Sequence, residues 1–312
     1  MAQLLNSLSA VALILMLACV GYICGKAGWL KHEHKAFLVK LIVNVCVPLM
    51  CLDNFFNSIT LDMLKGAETL FLVVVLSLSV SMALSLVLAR LMRISQPHRG
   101  GFVVMCALSN SLFVGLPMCT ELFGTEATPF VMIFYIINTS FFWTVGALML
   151  KQSGTQGHVR LTVKETLKGV LNPPFVSLVV CVLLLAAGFR PPHLILSFSK
   201  YMGALVTPLS LLYVGFVIYE TGLKTLKLDR QMTAVLAMRF VISPLLTLAL
   251  CHLLAVTGIQ RGVITLEAAM PVMVQSVVVS SSVGADESYV ATGLSLTTLA
   301  CFVAIPLLML LV

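Results

Sequence analysis

Leu108-Ser109-Asn110-Ser111-Leu112-Phe113-Val114-Gly115-Leu116-Pro117 lies inside an apolar stretch, Gly101 to Cys119, long enough to cross a bilayer core at about 1.5 Å per residue. The same ten residues are suited to breaking a helix. Pro117 removes a backbone donor, Gly115 weakens the helix, and Ser109, Asn110 and Ser111 bring polar groups into hydrocarbon. Broken backbone at membrane depth survives only where it is buried in protein or lines a cavity. Such breaks are typical substrate sites in transporters.

Composition agrees with a membrane setting. Of 312 residues, 60% are hydrophobic and 10% charged, and the mean hydropathy is +1.07. Soluble domains carry about 25% charge. The reading is an all-α polytopic membrane protein of the cell (cytoplasmic or inner) membrane, with most of its surface in the lipid bilayer. Ten apolar segments run approximately over 4–24, 36–56, 68–90, 101–119, 128–150, 173–189, 201–220, 232–256, 263–283 and 289–312. The first has no basic residue before it, and its first charge, Lys26, follows it, the reverse of a cleaved signal peptide.

Lys and Arg in the loops set the orientation. One alternate set of loops holds thirteen: Lys26, Lys31, Lys35, Arg90, Arg93, Arg99, Lys151, Arg160, Lys164, Lys168, Lys224, Lys227 and Arg230. The other set holds Lys65, Arg190, Lys200 and Arg261. The basic set is expected on the cytoplasmic side, with both termini outside. The net charge of +7 is thus a topology signal, and no soluble basic face for nucleic acid exists.

The basic loop 151–172 divides the chain into five segments (1–150) and five segments (173–312), so a repeat returns inverted. Ala27-Gly28-Trp29 ends the first segment as Ala187-Gly188-Phe189 ends the sixth, and Pro48 and Pro208 each follow 20 residues after those glycines. Arg99-Gly100 opens the fourth segment as Arg261-Gly262 opens the ninth. The ninth carries a second break, Glu267-Ala268-Ala269-Met270-Pro271-Val272-Met273-Val274-Gln275-Ser276. Aligning the Arg-Gly pairs sets Pro271 opposite Ser109, so the cluster Ser109 to Ser111 is expected to face Pro271 to Met273. Half-helix N-termini meeting there favour an anion.

The ordered motifs resemble those of the auxin efflux carrier family of bacterial and plant transporters. They are Lys40-Leu41-Ile42-Val43-Asn44-Val45-Cys46-Val47-Pro48, then Asn110 with Gly115 and Pro117, then Asn138 followed by Phe142-Trp143-Thr144-Val145-Gly146, and finally Ala269-Met270-Pro271. The resemblance covers nearly the whole chain. It implies two inverted five-helix repeats with broken crossover helices four and nine. It also implies a scaffold of helices one, two, six and seven, a homodimer, and a transport domain of helices three to five and eight to ten. Substrates implied are small organic anions such as malate, malonate or auxin. The implied site uses Asn110, Pro117, Asn138 and Pro271, with Asn44 and Pro48 from the scaffold side. Ser109 and Gln275, within the two breaks, complete the candidate set. The short central loop lacks the long insert of many plant members and points to a bacterial protein.

Charges inside the membrane need a reason, since each costs about 2.5–3.5 kcal/mol at the bilayer centre on insertion scales. Lys40 lies near a helix end and snorkels. Arg239 lies about nine residues, roughly 13 Å, from its loop, where it neutralises a carboxylate substrate, pairs with an acid, or satisfies broken backbone carbonyls. Glu267, one turn before Pro271, is either an outward-facing, water-accessible carboxylate or a group that binds a proton or cation or repels the wrong anion; for proton coupling it is the first candidate. Asp53 and Glu121 are expected at the outer interface.

Other signals carry no chemistry. His32-Glu33-His34 reads as a solvated loop. The nine cysteines read as small buried hydrophobes, without metal or disulfide spacing. Ser280-Ser281-Ser282 reads as helix packing or capping, and Asp286 has no intramembrane partner for catalysis. No cofactor is implied, and no Gly-rich phosphate loop for ATP is present. The expected function is a secondary anion transporter of elevator type, with a proton or sodium as coupling ion in question. The alternatives are a sodium-coupled bile-acid-type symporter, or a membrane receptor or intramembrane enzyme.

Overall fold

The computed structural model describes residues 2–58, 67–154, 167, 171–222 and 227–311. Lys65, Arg160, Lys164, Lys168 and Lys224, counted for orientation, fall outside these residues, as does most of the 151–172 loop. Among the described residues the chain is helical, without a strand. The helices are α1 (Ala2–Lys26), α2 (His34–Asn57), α3 (Glu68–Leu91), α4 (Gln96–Ala107), α5 (Ser111–Phe123), α6 (Thr125–Ser153), α7 (Pro173–Ala186), α8 (His193–Thr221), α9 (Arg230–Leu253), α10 (Gly258–Ala268), α11 (Val274–Ser282) and α12 (Glu287–Leu308). Six of them, α2, α3, α6, α8, α9 and α12, are long and apolar enough to cross a membrane. The fourth apolar segment is divided into α4 and α5, the ninth into α10 and α11.

The distribution of side chains is that of a protein in lipid. Large apolar residues such as Met16 and Ile23 on α1, Phe71 and Val87 on α3 and Leu183 on α7 point outward. Hydroxyls point inward: Ser77 meets Thr247 at 2.6 Å and Ser81 meets Ser243 at 3.4 Å between α3 and α9. Small polar groups of this kind hold membrane helices together where burial of apolar surface supplies no driving force.

Packing sorts the helices into two groups. In the first, α1 lies against α8 so closely that a Cβ on Gly21 would strike the Leu212 carbonyl, and one on Gly215 the Ala18 carbonyl. In the same group α2 packs on α7 and α8. The second group holds α3, α4, α6 and α9 to α12, with α5 lying between it and α1. A buried hydrogen bond, Asn54 Nδ2 to Thr128 Oγ1 at 2.8 Å, ties α2 of the first group to α6 of the second. The Phe113 and Tyr213 rings, 5.2 Å apart, tie α5 to α8.

The two Ala-Gly-aromatic motifs adopt the same local structure. Gly28 and Gly188 have φ of 76° and 68°, a region that suits glycine. The Trp29 N–H donates to the Cys24 carbonyl and the Phe189 N–H to the Leu184 carbonyl, each at 3.0 Å. Both are Schellman caps, ending α1 and α7 alike.

Prolines 48, 117 and 244 act differently from the expectation for Pro117. They do not end their helices. Each ring would clash with the carbonyl four residues back, and the helix widens instead. The preceding residue bonds five back: Val47 to Ile42, Leu116 to Ser111 and Ser243 to Met238. The break in the fourth segment therefore lies at residues 108–110, ahead of Pro117, which sits within α5.

Candidate functional site

The two breaks pair with each other. Ser109 stands opposite Val272 in an isolated antiparallel bridge, and the Asn110 N–H donates to the Pro271 carbonyl at 2.8 Å. Each break has its own local cause. Leu108 is extended, and Asn110 caps α5 by accepting from the Phe113 N–H at 3.3 Å. In the ninth segment Pro271 itself stands in the break, with no N–H to donate and with its predecessor steered away from helix.

Interrupting two helices inside a membrane frees backbone groups that must all find partners. Asn138 of α6 takes both groups of Ser109: its Oδ1 accepts the Ser109 N–H at 3.0 Å, and its Nδ2 donates to the Ser109 carbonyl at 2.8 Å. Thr297 of α12 does the same service opposite, its hydroxyl accepting the Val272 N–H at 3.0 Å. Arg239, fully buried on α9, donates from Nε to the Met270 carbonyl at 2.9 Å, again to that carbonyl from Nη2, and from Nη2 to Ser109 Oγ at 2.5 Å. Of the three uses open to Arg239, the geometry shows the satisfaction of freed carbonyls. The buried acid Glu267 makes no ion pair with it among the described residues.

Some polar atoms at the breaks are buried with no hydrogen-bond partner. They are Asn110 Nδ2, Ser111 Oγ, Arg239 Nη1 and Glu267 Oε2. Glu267 is fully buried, so the water-accessible alternative is set aside. Its Oε1 accepts from the Cys119 thiol at 3.6 Å, and its carboxyl occupies the space a Cβ on Gly115 would take.

The chain matches the membrane transport protein family over residues 7–309. The chain belongs to that family. A transporter of undetermined activity from Methanothermobacter thermautotrophicus is 25% identical over 306 residues, 97% of each chain. Another, from Methanocaldococcus jannaschii, is 24% identical over 303 residues, 93% of this chain and 94% of its own. Both are archaeal. The protein is a multi-pass membrane transporter and no enzyme, in keeping with the resemblance its motifs carry.

The transporter gathers only part of the expected site. Ser109, Asn110, Asn138, Arg239, Glu267 and Pro271 come together at the paired breaks. Pro117 is buried within α5, and Gln275 is half-buried on the first turn of α11. Asn44 and Pro48 stand elsewhere. Asn44 is exposed in the widened turn before Pro48, and both line an apolar groove of about 500 Å³ against α7, with Pro173, Val176 and Cys181. No residue of either break lines that groove.

Lys40 and Glu121 are exposed and Asp53 is half-buried beside Asn57. Seven of the nine cysteines are buried; Cys19 is exposed and Cys24 half-buried. His32 bonds Glu220 at 3.0 Å and His98 bonds Asp286 at 3.0 Å, so Asp286 has a partner, at a helix end. Thr297 and Cys119 were not among the expected residues. Thr297 had a signal: it follows Asn138 by 159 residues, close to the spacing of 160 to 162 between the repeated motifs.

Asn138→Leu tests this accounting. It strips two buried backbone groups of partners worth about 1–3 kcal/mol each, so stability should fall by about 2–6 kcal/mol. Thermal unfolding in detergent measures it, and an unchanged melting temperature would mean that Ser109 is held by other groups.

Proposed function

We propose that this protein is a secondary transporter of small organic anions, carboxylates such as malate, malonate or auxin-like acids, bound where the two breaks pair. One observation carries the reading. Asn110 Nδ2 and Arg239 Nη1 are buried donors without protein partners at the meeting point of two half-helix N-termini. Unused donors and partial positive charge at one place suit a carboxylate. A cavity of about 750 Å³, lined by Arg190, His193 and Lys200 against the single acid Asp53, adds a surface that gathers anions.

In this reading the chain crosses the membrane ten times as two inverted repeats with both termini outside. The group α1, α2, α7 and α8 is the scaffold, and α3 to α6 with α9 to α12 is the transport domain. That domain slides in elevator fashion, and the Asn54–Thr128 bond is one of the contacts it exchanges. The homodimer implied by the resemblance belongs to the same reading, which places the protein in the cell membrane.

The test is counterflow in proteoliposomes with a panel of mono- and dicarboxylates, with and without pH and sodium gradients. At least one carboxylate is expected to exchange saturably. Failure of every anion to bind or move would overturn the reading.

A further inference from the structure

The buried carboxyl of Glu267 is not used by the anion site just described, and its surroundings are specific. Ser111, Gly115 and Cys119 recur every four residues along α5 and present one face to it. Gly115 leaves room for the carboxyl, Cys119 donates to Oε1, and the Ser111 hydroxyl lies against the carboxyl without closing a hydrogen bond to Oε2. The titratable and charged groups on the packed elements are few. They are Arg239, Cys251 and the exposed Arg230 and His252 on α9, Cys119 and the exposed Glu121 on α5, the exposed Glu126, buried Tyr135 and half-buried Lys151 on α6, and Arg261 on α10 itself. Of these, Cys119 and Arg239 stand next to the carboxyl.

This donor set discriminates between ligands. A hard cation such as sodium wants a shell of several oxygens, and here a thiol, one hydroxyl and a nearby guanidinium surround a single carboxyl. A proton needs only the vacant oxygen. Charge balance then sets the order of events. With the carrier empty, an ionised Glu267 balances Arg239. With a singly charged carboxylate such as hydrogen malonate held by Asn110 and Arg239, the buried charges balance only if Glu267 is neutral. Either half-loaded state leaves one uncompensated charge in the interior, which is costly.

We propose that Glu267 is the carrier of a co-transported proton, taken from water on one side together with the anion and released to water on the other as the anion leaves. The proposal rests on the anion reading above. Binding of the two ligands is mutually reinforcing, as reciprocity requires.

The test compares wild type with Glu267→Gln, a neutral mimic of the protonated acid, in proteoliposomes with radiolabelled malonate. Wild type is expected to accumulate malonate when the outside is made acid. In E267Q that accumulation should fall at least about tenfold, while malonate counterflow, which needs only the loaded carrier, stays measurable. Equal accumulation by both proteins overturns the proposal, as does loss of counterflow along with accumulation in a folded E267Q.

Infrared difference spectra between acid and alkaline buffer supply an arm that needs no substrate. Wild type should show a protonated-carboxyl band that E267Q lacks, and its absence overturns the proposal. If neither protein moves malonate, the anion reading fails for that probe while the infrared result still decides Glu267.

Discussion

Arg239→Met is expected to destabilise the protein by about 3–5 kcal/mol and to abolish transport. Two effects oppose each other in this substitution. Removing a fully buried cation recovers the free energy of its desolvation, and Met keeps much of the apolar stem. Against this, the Met270 carbonyl and Ser109 Oγ lose their donors. Neither has water to turn to, and an acceptor left without a partner in a membrane interior costs several kcal/mol. The second effect should win, because Arg239 is what joins the end of α10 to the first break. Arg239→Lys should be intermediate, since one ammonium on a flexible stem cannot reproduce the planar fork that reaches a carbonyl and a hydroxyl together. Thermal unfolding in detergent measures both variants. A melting temperature for R239M equal to wild type would mean that the paired breaks hold without the guanidinium.

Asn110→Asp should keep the cap of α5 and reduce anion binding by about 10- to 100-fold, the equivalent of one hydrogen bond to a charged ligand. The choice of Asp separates the two roles of the side chain. An Asp oxygen can still accept the Phe113 N–H and cap α5. It cannot replace the unpartnered Nδ2 donor, and it places a negative charge where a carboxylate would sit. Asn110→Ala is the complement: it loses the cap, at about 1 kcal/mol, and the donor together. Binding of a transported carboxylate, read by ligand-induced thermal shift, checks the expectation. Wild-type affinity in N110D would remove Asn110 from the site.

The break was legible in the sequence, and so was the meeting of Ser109 to Ser111 with Pro271 to Met273, but the part played by Pro117 was not. A proline in an apolar run suggests where a helix stops, yet Pro117 is absorbed by a widened turn, and the chain parts ahead of it at residues 108–110. The polar cluster at Ser109 to Ser111 was the better guide, because a capping Asn starts a helix, while Pro117 further along α5 is accommodated by the widened turn before it. Asn44 and Pro48 were legible as a motif and not as a location; which way a helix faces depends on its neighbours. Thr297 shows a signal that was present and unused, the repeat spacing that sets it across from Asn138.

Composition and order of residues determined that this chain lives in a membrane, that its fourth and ninth segments are interrupted, and that Asn110, Arg239 and Glu267 are polar groups needing a reason there. Those are local properties: hydropathy, missing donors and capping side chains act over a few residues. Tertiary structure decided the partners. Arg239 faces a carbonyl across the two breaks, Asn138 completes the backbone of Ser109, and Glu267 fits against Gly115 with one oxygen unmet. Partner choice depends on how distant segments are brought together. Inside a bilayer, where water satisfies nothing, that arrangement fixes which polar groups are satisfied within the protein and which are left for a ligand.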